Sequence, residues 1–216
     1  MSRTSAAVIV SCAMAEEAQP FVDALPERTE AQPPTLPGSA QAWSLQLPGG
    51  ERELILVRSG IGLVAAASAL AAVLTQVRPG TIVSAGTTGG LGRQVQVGDV
   101  CASANLAYTD ADATAFGYVR GQTPGQPETF AGDPALLERL EQVGPEALRG
   151  ATASSGSARL HVGRMLAGNS FVTAANVTDT REVFPTALST DMESTALAQV
   201  AASAGIPFVS VRGVSD

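Results

Sequence analysis

Four short stretches carry side chains suited to acid–base work. "AMAEEAQPF" places Glu16 and Glu17 just after the apolar run "SAAVIVSC" (5–12). "STDMESTALAQV" (189–200) sets Asp191 and Glu193 around Met192 in an Ala-rich, apolar stretch. "VRGVSD" (211–216) delivers Arg212, Ser215 and Asp216 after another apolar run, and "SAGTTGGLG" (84–92) brings four glycines after a fourth. Two carboxyls can divide general acid from general base, and glycines following a buried strand let backbone approach a ligand closely. Each stretch also has a plain structural reading. Acids favour the first turn of a helix because of the backbone dipole. Gly86, Gly89, Gly90 and Gly92 can simply make a turn, and they match neither a Walker loop nor the dinucleotide spacing. Asp191 and Glu193 would share a face in a strand but not in a helix, and the switch from "ALSTDM" to "STALAQV" falls there, with Ser194 a candidate N-cap. "VRGVSD" can be a surface turn. The pattern favours function: three acids and a Gly turn, each at the carboxyl end of a different predicted strand, where open α/β sheets bind ligands.

The elements that must position these residues alternate along the chain. Continuous apolar runs at 5–12 and 81–86 read as buried strands. "AWSLQL" and "RELILV" flank "PGG" as a hairpin. "VGDVCAS", "ANLAY", "ALSTDM" and "PFVSVRG" read as further strands, and "ATASSGS" and "ARLHVGRMLAG" as extended. Helices are expected over "AMAEEAQPFVDAL", 62–77, 133–143 with Asp133 as N-cap, "NVTDTREVFP" and "STALAQVAASAG", the last ended by Gly205. Residues 26–40 are a Pro-rich loop, and 109–132 a long polar loop of the kind that is usually functional. Strand–helix alternation with one hairpin implies a single-domain α/β fold over 1–216, a central mixed sheet flanked by helices.

Composition removes several function classes. The 216 residues are 45% hydrophobic and 15% charged, which suits a compact core. No apolar run is long enough for a membrane span, and the N-terminus lacks a signal peptide's longer apolar region and cleavage site, so no membrane partner is expected. Net charge is −7, and all 13 basic residues are scattered arginines, which argues against a nucleic-acid partner. Cys12 and Cys101 sit beside apolar runs and read as buried thiols in a reducing compartment, hence a cytoplasmic protein. His161 is the lone histidine, so no metal-ligand cluster assembles at standard spacing, and neither metal nor organic cofactor is expected.

Seven segments in order, "AMAEE", "SGIGLVAAA", "AGTTGGL", "VGDV", "DADATAFGYVRGQTPGQP", "DMESTALA" and "PFVSVRGVSD", resemble the methylthioadenosine/S-adenosylhomocysteine nucleosidases of the nucleoside phosphorylase superfamily. The resemblance runs from about residue 8 to 216, and "TAFGYVRGQTPG" is its most specific block. It implies a nucleoside phosphorylase-like fold and hydrolysis of an N-glycosidic bond, releasing adenine. It implies that Glu17 activates a water for attack on the anomeric carbon, and that Asp216 protonates N7 of adenine. Glu193 would hold the ribose hydroxyls with Met192 beside it, Phe171 would stack on adenine, and Val172 backbone would pair with the base edge. Thr87, Thr88 and Gly89 would line the ribose and water site, with Ser215 beside Asp216. Ala13, Ile61, Phe116, Tyr118 and Pro124 match positions around the sugar and alkylthio tail. The 116–124 loop would reach a neighbouring subunit's site, implying a homodimer. Glu193 then carries chemistry and Asp191 is structural.

The chemistry fits those residue types. Cleavage through an oxocarbenium-like state needs a protonated leaving base and a water on the opposite face. A donor at neutral pH needs a raised pKa, so Asp216 should sit in a water-poor site. The chain departs from the family at Thr87-Thr88, usually Ser-Ala, and at Ala167-Gly168-Asn169, usually Ser-Gly-Asp. Asn169 removes a charge expected to shape the base pocket. The family continues past the matching aspartate into a further helix, so a C-terminal tail is expected to be missing from this sequence. A nucleoside phosphorylase on the same fold would need cations for phosphate; the family's early Arg is absent from 13–24, and Ser84-Ala85-Gly86 stand where another would precede the Gly turn. Futalosine hydrolase is a second rival, opposed by the 113–124 loop. A non-catalytic nucleoside-binding protein is a third.

Overall fold

The computed structural model describes residues 7–50, 52–152 and 155–216. Ser5 and Ala6 of the first expected strand, and residues 153–154 of the expected extended stretch, lie outside the described residues. The chain order is β1 (Val8–Cys12), α1 (Ala15–Ala24), β2 (Gln41–Gln46), β3 (Glu53–Arg58), α2 (Leu63–Leu74), β4 (Thr81–Gly90), β5 (Val100–Tyr108), β6 (Phe130–Ala131), α3 (Pro134–Ala151), β7 (Leu160–Ala167), α4 (Val177–Val183), β8 (Ala187–Asp191), α5 (Ser194–Ala204) and β9 (Phe208–Val214). The strands form one mixed sheet in the order β2-β3-β1-β4-β8-β7-β5-β6, with β9 joining β4 and β5. β2 and β3 are the expected antiparallel hairpin.

Three parallel strands matter most. β1 and β9 both run parallel to β4, so all three end at one edge of the sheet. β8 meets the end of β4 antiparallel, pairing Thr190 with Gly89, and so brings Asp191 to the same level. Apolar burial drives this arrangement: Ile9, Ile55, Val57 and Ile82 are fully buried strand residues in one core. Over that core lies α2, whose buried residues Ala66, Ala69, Leu70 and Val73 recur at i, i+3, i+4 and i+7, one helical face. It packs against α5, whose Leu197, Ala198 and Ala201 enter the same core.

The structure departs from the sequence reading in four places. The glycine stretch is not a turn: β4 continues through Gly90, because β9 pairs with Thr87 and Thr88 and β8 with Gly89 and Gly90. "VGDVCAS" and "ANLAY" form one strand, β5, with a register shift between Ser103 and Asn105. There Gly132 N–H reaches Ala104 O at 2.9 Å, an approach so close that a β-carbon at Gly132 would stand 1.9 Å from Ser103 O. α3 runs on to Ala151, and 155–157 is a short 3-10 turn, so these residues of "ATASSGS" are not extended. Asp133 caps α3 as expected, accepting from Leu136 N–H at 3.0 Å. Ser194 is not the N-cap of α5; that position is Glu193, and the freed amides of Glu193 and Ser194 both donate to Asp191 Oδ1 at 2.7 Å.

Candidate active site

Glu17 combines both readings open to it. It is the third residue of α1, and its Oε2 accepts from the amides of Ala13 (2.9 Å) and Met14 (3.1 Å), satisfying orphan donors at the helix start. Its Oε1 accepts from the amide and hydroxyl of Thr87, at 2.8 and 3.1 Å. The carboxylate is thereby clamped between the ends of β1 and β4. Gly86 makes room for it: a β-carbon there would stand 2.5 Å from Glu17 Oε1.

Glu193 stands at the start of α5. Its Oε1 accepts from Gly62 N–H at 2.9 Å, and its Oε2 lies 3.2 Å from Arg212 Nη1. Burial raises its pKa; the neighbouring Arg212 charge pulls it back, and the Asp191 carboxylate raises it further. Arg212 is the functional residue the sequence reading left without a role. At 2% exposure, this guanidinium is among the largest fully buried side chains. It donates to Ser194 Oγ (2.9 Å), Ser84 Oγ (2.9 Å) and Thr87 O (3.0 Å), and lies 3.4 Å from Asp191 Oδ2. The signal was an arginine inside an apolar strand, which folding tolerates only when paired.

One cavity gathers these groups. It is lined by Glu17, Thr87, Thr88, Gly89, Glu193, Met192, Phe171, Val172, Ser215, Asp216, Ala13 and Ile61. Met14, Ser170, Thr190, Asp191 and Arg212 complete the lining. Phe116, Tyr118 and Pro124 are not among its lining residues; they lie on the 109–132 loop, and the Phe116 ring is 83% exposed. Asp216 follows β9 at the edge of the cavity, where Ser215 Oγ donates to its Oδ1 at 2.7 Å and its own carbonyl accepts from Gly90 N–H at 2.8 Å. Asn169 is not among the lining residues. Its amide oxygen accepts from Leu63 N–H at 3.3 Å, at the start of α2, while Asp110 accepts from its own N–H at 2.9 Å.

The cavity thus joins the carboxyls of Glu17, Glu193 and Asp216 with a buried, fully engaged arginine. The phosphorylase superfamily model matches residues 7–216. The methylthioadenosine/S-adenosylhomocysteine nucleosidase of Haemophilus influenzae (strain PittEE) is 33% identical over 205 residues, 94% of this chain and 83% of that protein. This chain belongs to that nucleosidase family. The Staphylococcus aureus (strain JH9) nucleosidase is 37% identical over 167 residues, 77% of this chain and 69% of its own. Among solved structures, the Neisseria meningitidis nucleosidase in complex with methylthio-immucillin-A superposes with a TM-score of 0.86 at 31% identity, covering 98% of this chain and 86% of that one. The Colwellia psychrerythraea nucleosidase in complex with adenine gives 0.85 at 30% identity, covering 100% and 84%. The sequence resemblance and the nucleoside phosphorylase-like fold therefore hold. Among the described residues, no helix of this nucleosidase is long and apolar enough to cross a membrane.

Proposed function

We propose that the chain hydrolyses the N-glycosidic bond of 5'-methylthioadenosine and S-adenosylhomocysteine, with water as nucleophile. The observation that carries this choice is the commitment of Arg212. It is the one cation among the described lining residues, and its donors go to Ser84, Ser194 and Thr87 while its charge faces Glu193 and Asp191. A phosphate entering the cavity would meet carboxylates and no free guanidinium, whereas water meets hydrogen-bond acceptors.

In this reading Glu17 and Thr87 hold the attacking water. Glu17 takes its proton as oxygen bonds to the anomeric carbon and the bond to adenine breaks. Glu193 holds the ribose hydroxyls, and its charge steadies the positive charge developing on the sugar. Phe171 stacks on the base. Asp216 gives a proton to adenine N7. Met192, Val172, Thr88, Gly89 and Ser215 shape the contact. Ala13 and Ile61 face the alkylthio end.

The chain also works as a homodimer in this reading. Phe116, 83% exposed, and Val119, 44% exposed, stand on the loop with Tyr118 and Pro124, an apolar surface suited to a second copy's cavity. Light scattering of the purified protein tests this; a monomer at micromolar concentration would exclude it. The activity test is incubation with methylthioadenosine, with and without phosphate, followed by chromatography. Free adenine plus methylthioribose, indifferent to phosphate, is expected. Adenine appearing only with phosphate would make the protein a phosphorylase, and tight binding without turnover would make it a binding protein.

A further inference from the structure

We infer that Ser194 is a positioning residue: its hydroxyl takes the Nε–H of Arg212 away from Asp191 and so keeps the arginine's Nη1 edge on Glu193. The inference rests on the nucleosidase reading, in which Glu193 holds the ribose, and gives that reading a residue behind the cavity wall. Two carboxylates compete for one guanidinium. Glu193 Oε2 lies 3.2 Å from Nη1, and Asp191 Oδ2 lies 3.4 Å from Nε. The Asp191 side chain is only 2% exposed, so its oxygens must find partners inside the protein. Its Oδ1 accepts from the amides of Glu193 and Ser194, both at 2.7 Å, but its Oδ2 has no hydrogen-bond partner among the described residues. A buried carboxylate oxygen left without a donor is costly. Asp191 would therefore draw in the Nε–H, unless another acceptor held it. Ser194 Oγ holds it, at 2.9 Å.

The fold fixes which way that hydroxyl faces. Ser84 of β4 and Ser210 of β9 are paired across the two strands, and Ser194 opens α5 beside them. All three are fully buried. Arginine can only donate, so Ser194 Oγ accepts from Nε and has one proton of its own to place. Two hydroxyls are within reach: Ser210 Oγ at 2.8 Å and Ser84 Oγ at 3.2 Å. Ser84 Oγ already accepts from Arg212 Nη2 at 2.9 Å, whereas Ser210 Oγ bonds Ser194 and not the arginine. The cation turns the Ser194 O–H away from itself, toward Ser210, because side-chain dipoles orient in the local field. The lone pairs of Ser194 then face Nε. The far edge of the guanidinium is held by β4, through Ser84 Oγ and Thr87 O.

The test is Ser194→Ala, assayed by adenine release from methylthioadenosine and by crystallography. The Nε–H should swing to within hydrogen-bond distance of Asp191 Oδ2, and kcat/KM should fall about tenfold, the range for a lost charge-assisted hydrogen bond. The acid limb of the kcat/KM profile should move to higher pH. Arg212 lowers the Glu193 pKa, whereas Asp191 and Glu17, the other charges acting on it, raise it. Ser194→Cys, a weaker acceptor, should fall between wild type and Ser194→Ala. Ser210→Ala removes the same atom from an equally buried site without touching the arginine, and should stay within about twofold of wild type. Asp191→Asn removes the competing carboxylate, so adding Ser194→Ala in that background should cost less than about twofold. Urea midpoints report that each variant is folded. Unchanged kinetics in Ser194→Ala, equal losses in Ser194→Ala and Ser210→Ala, or the full loss in the Asp191→Asn background would each overturn the positioning role and leave the nucleosidase reading standing. A wild-type protein that releases no adenine would overturn the nucleosidase reading, and the Ser194→Ala crystal structure would still show whether the arginine turns.

Discussion

Removing the positive charge of Arg212 should damage stability and catalysis together, and in a pH-dependent way. Arg212→Met keeps much of the side chain's volume but leaves Asp191 and Glu193 as neighbouring carboxylates without their cation, both buried. Breaking a buried ion pair from one side costs about 3–5 kcal/mol. At about 2–4 °C per kcal/mol for a chain of this size, melting should fall by on the order of 10 °C. The sign with pH follows from Glu193. Its folded pKa is already raised by burial, and Arg212 is the main influence lowering it. Without Arg212 it rises further. A carboxyl with a raised folded pKa contributes stability that is fully present below its unfolded pKa and lost as pH rises through the folded value. The deficit of the variant should therefore be smaller at pH near 5 than at pH near 8. Arg212→Met also removes the partner that holds the Glu193 carboxylate toward the sugar, and kcat should fall about 100- to 1000-fold. Urea unfolding at both pH values and methylthioadenosine hydrolysis measure this. A variant that unfolds at the wild-type urea concentration, or loses equal stability at both pH values, would refute the charge-balance argument.

Other outcomes follow from single contacts. Glu17→Gln should lose about 100- to 10,000-fold in kcat while still binding a substrate analogue, measured by single turnover and calorimetry, since only the proton acceptor is removed. Gly86→Ala should cost comparable activity, because the new β-carbon would stand 2.5 Å from Glu17 Oε1; a crystal structure with Glu17 unmoved would contradict that. Burial pushes the Cys12 thiol up to about 12 and the Cys101 thiol up to about 11, so neither should react with a thiol reagent at neutral pH until urea unfolds the chain. Burial pushes Asp99 up, but hydrogen bonds from His161 and from the amides of Arg159 and Gln96 outweigh it and hold its pKa below the usual value. Stability from Asp99 is thus present above its unfolded pKa and lost as pH falls through the folded one. Asp99→Asn should flatten the acid side of the stability profile, read from urea midpoints.

The sequence disclosed residue types better than their surroundings. Glu17, Glu193 and Asp216 each follow a strand, and the structure gathers all three around one cavity, because apolar runs fix strand ends within a residue or two. The glycines at 86–90 read as a turn because local signals cannot register that two other strands pair with that segment. Arg212 was visible only as an oddity in an apolar strand, since its partners lie 18 to 128 residues away. Asp191 read as structural from its resemblance; its carboxylate caps α5 and faces Arg212, so it helps fix the backbone of Glu193.

The place of β9 has a consequence for how the polypeptide reaches this state. It is the ninth strand in chain order, yet it sits inside the sheet, pairing with β4 along Ile82–Thr88 and with β5 along Val100–Ala102. Until it inserts, those two strands present open hydrogen-bonding edges, and the three acids cannot meet. Strand pairings that span more than 100 residues are slow to form and leave sticky edges in the meantime. During synthesis the nascent chain should therefore stay incompletely folded, and prone to self-association, until residues 208–214 have left the ribosome.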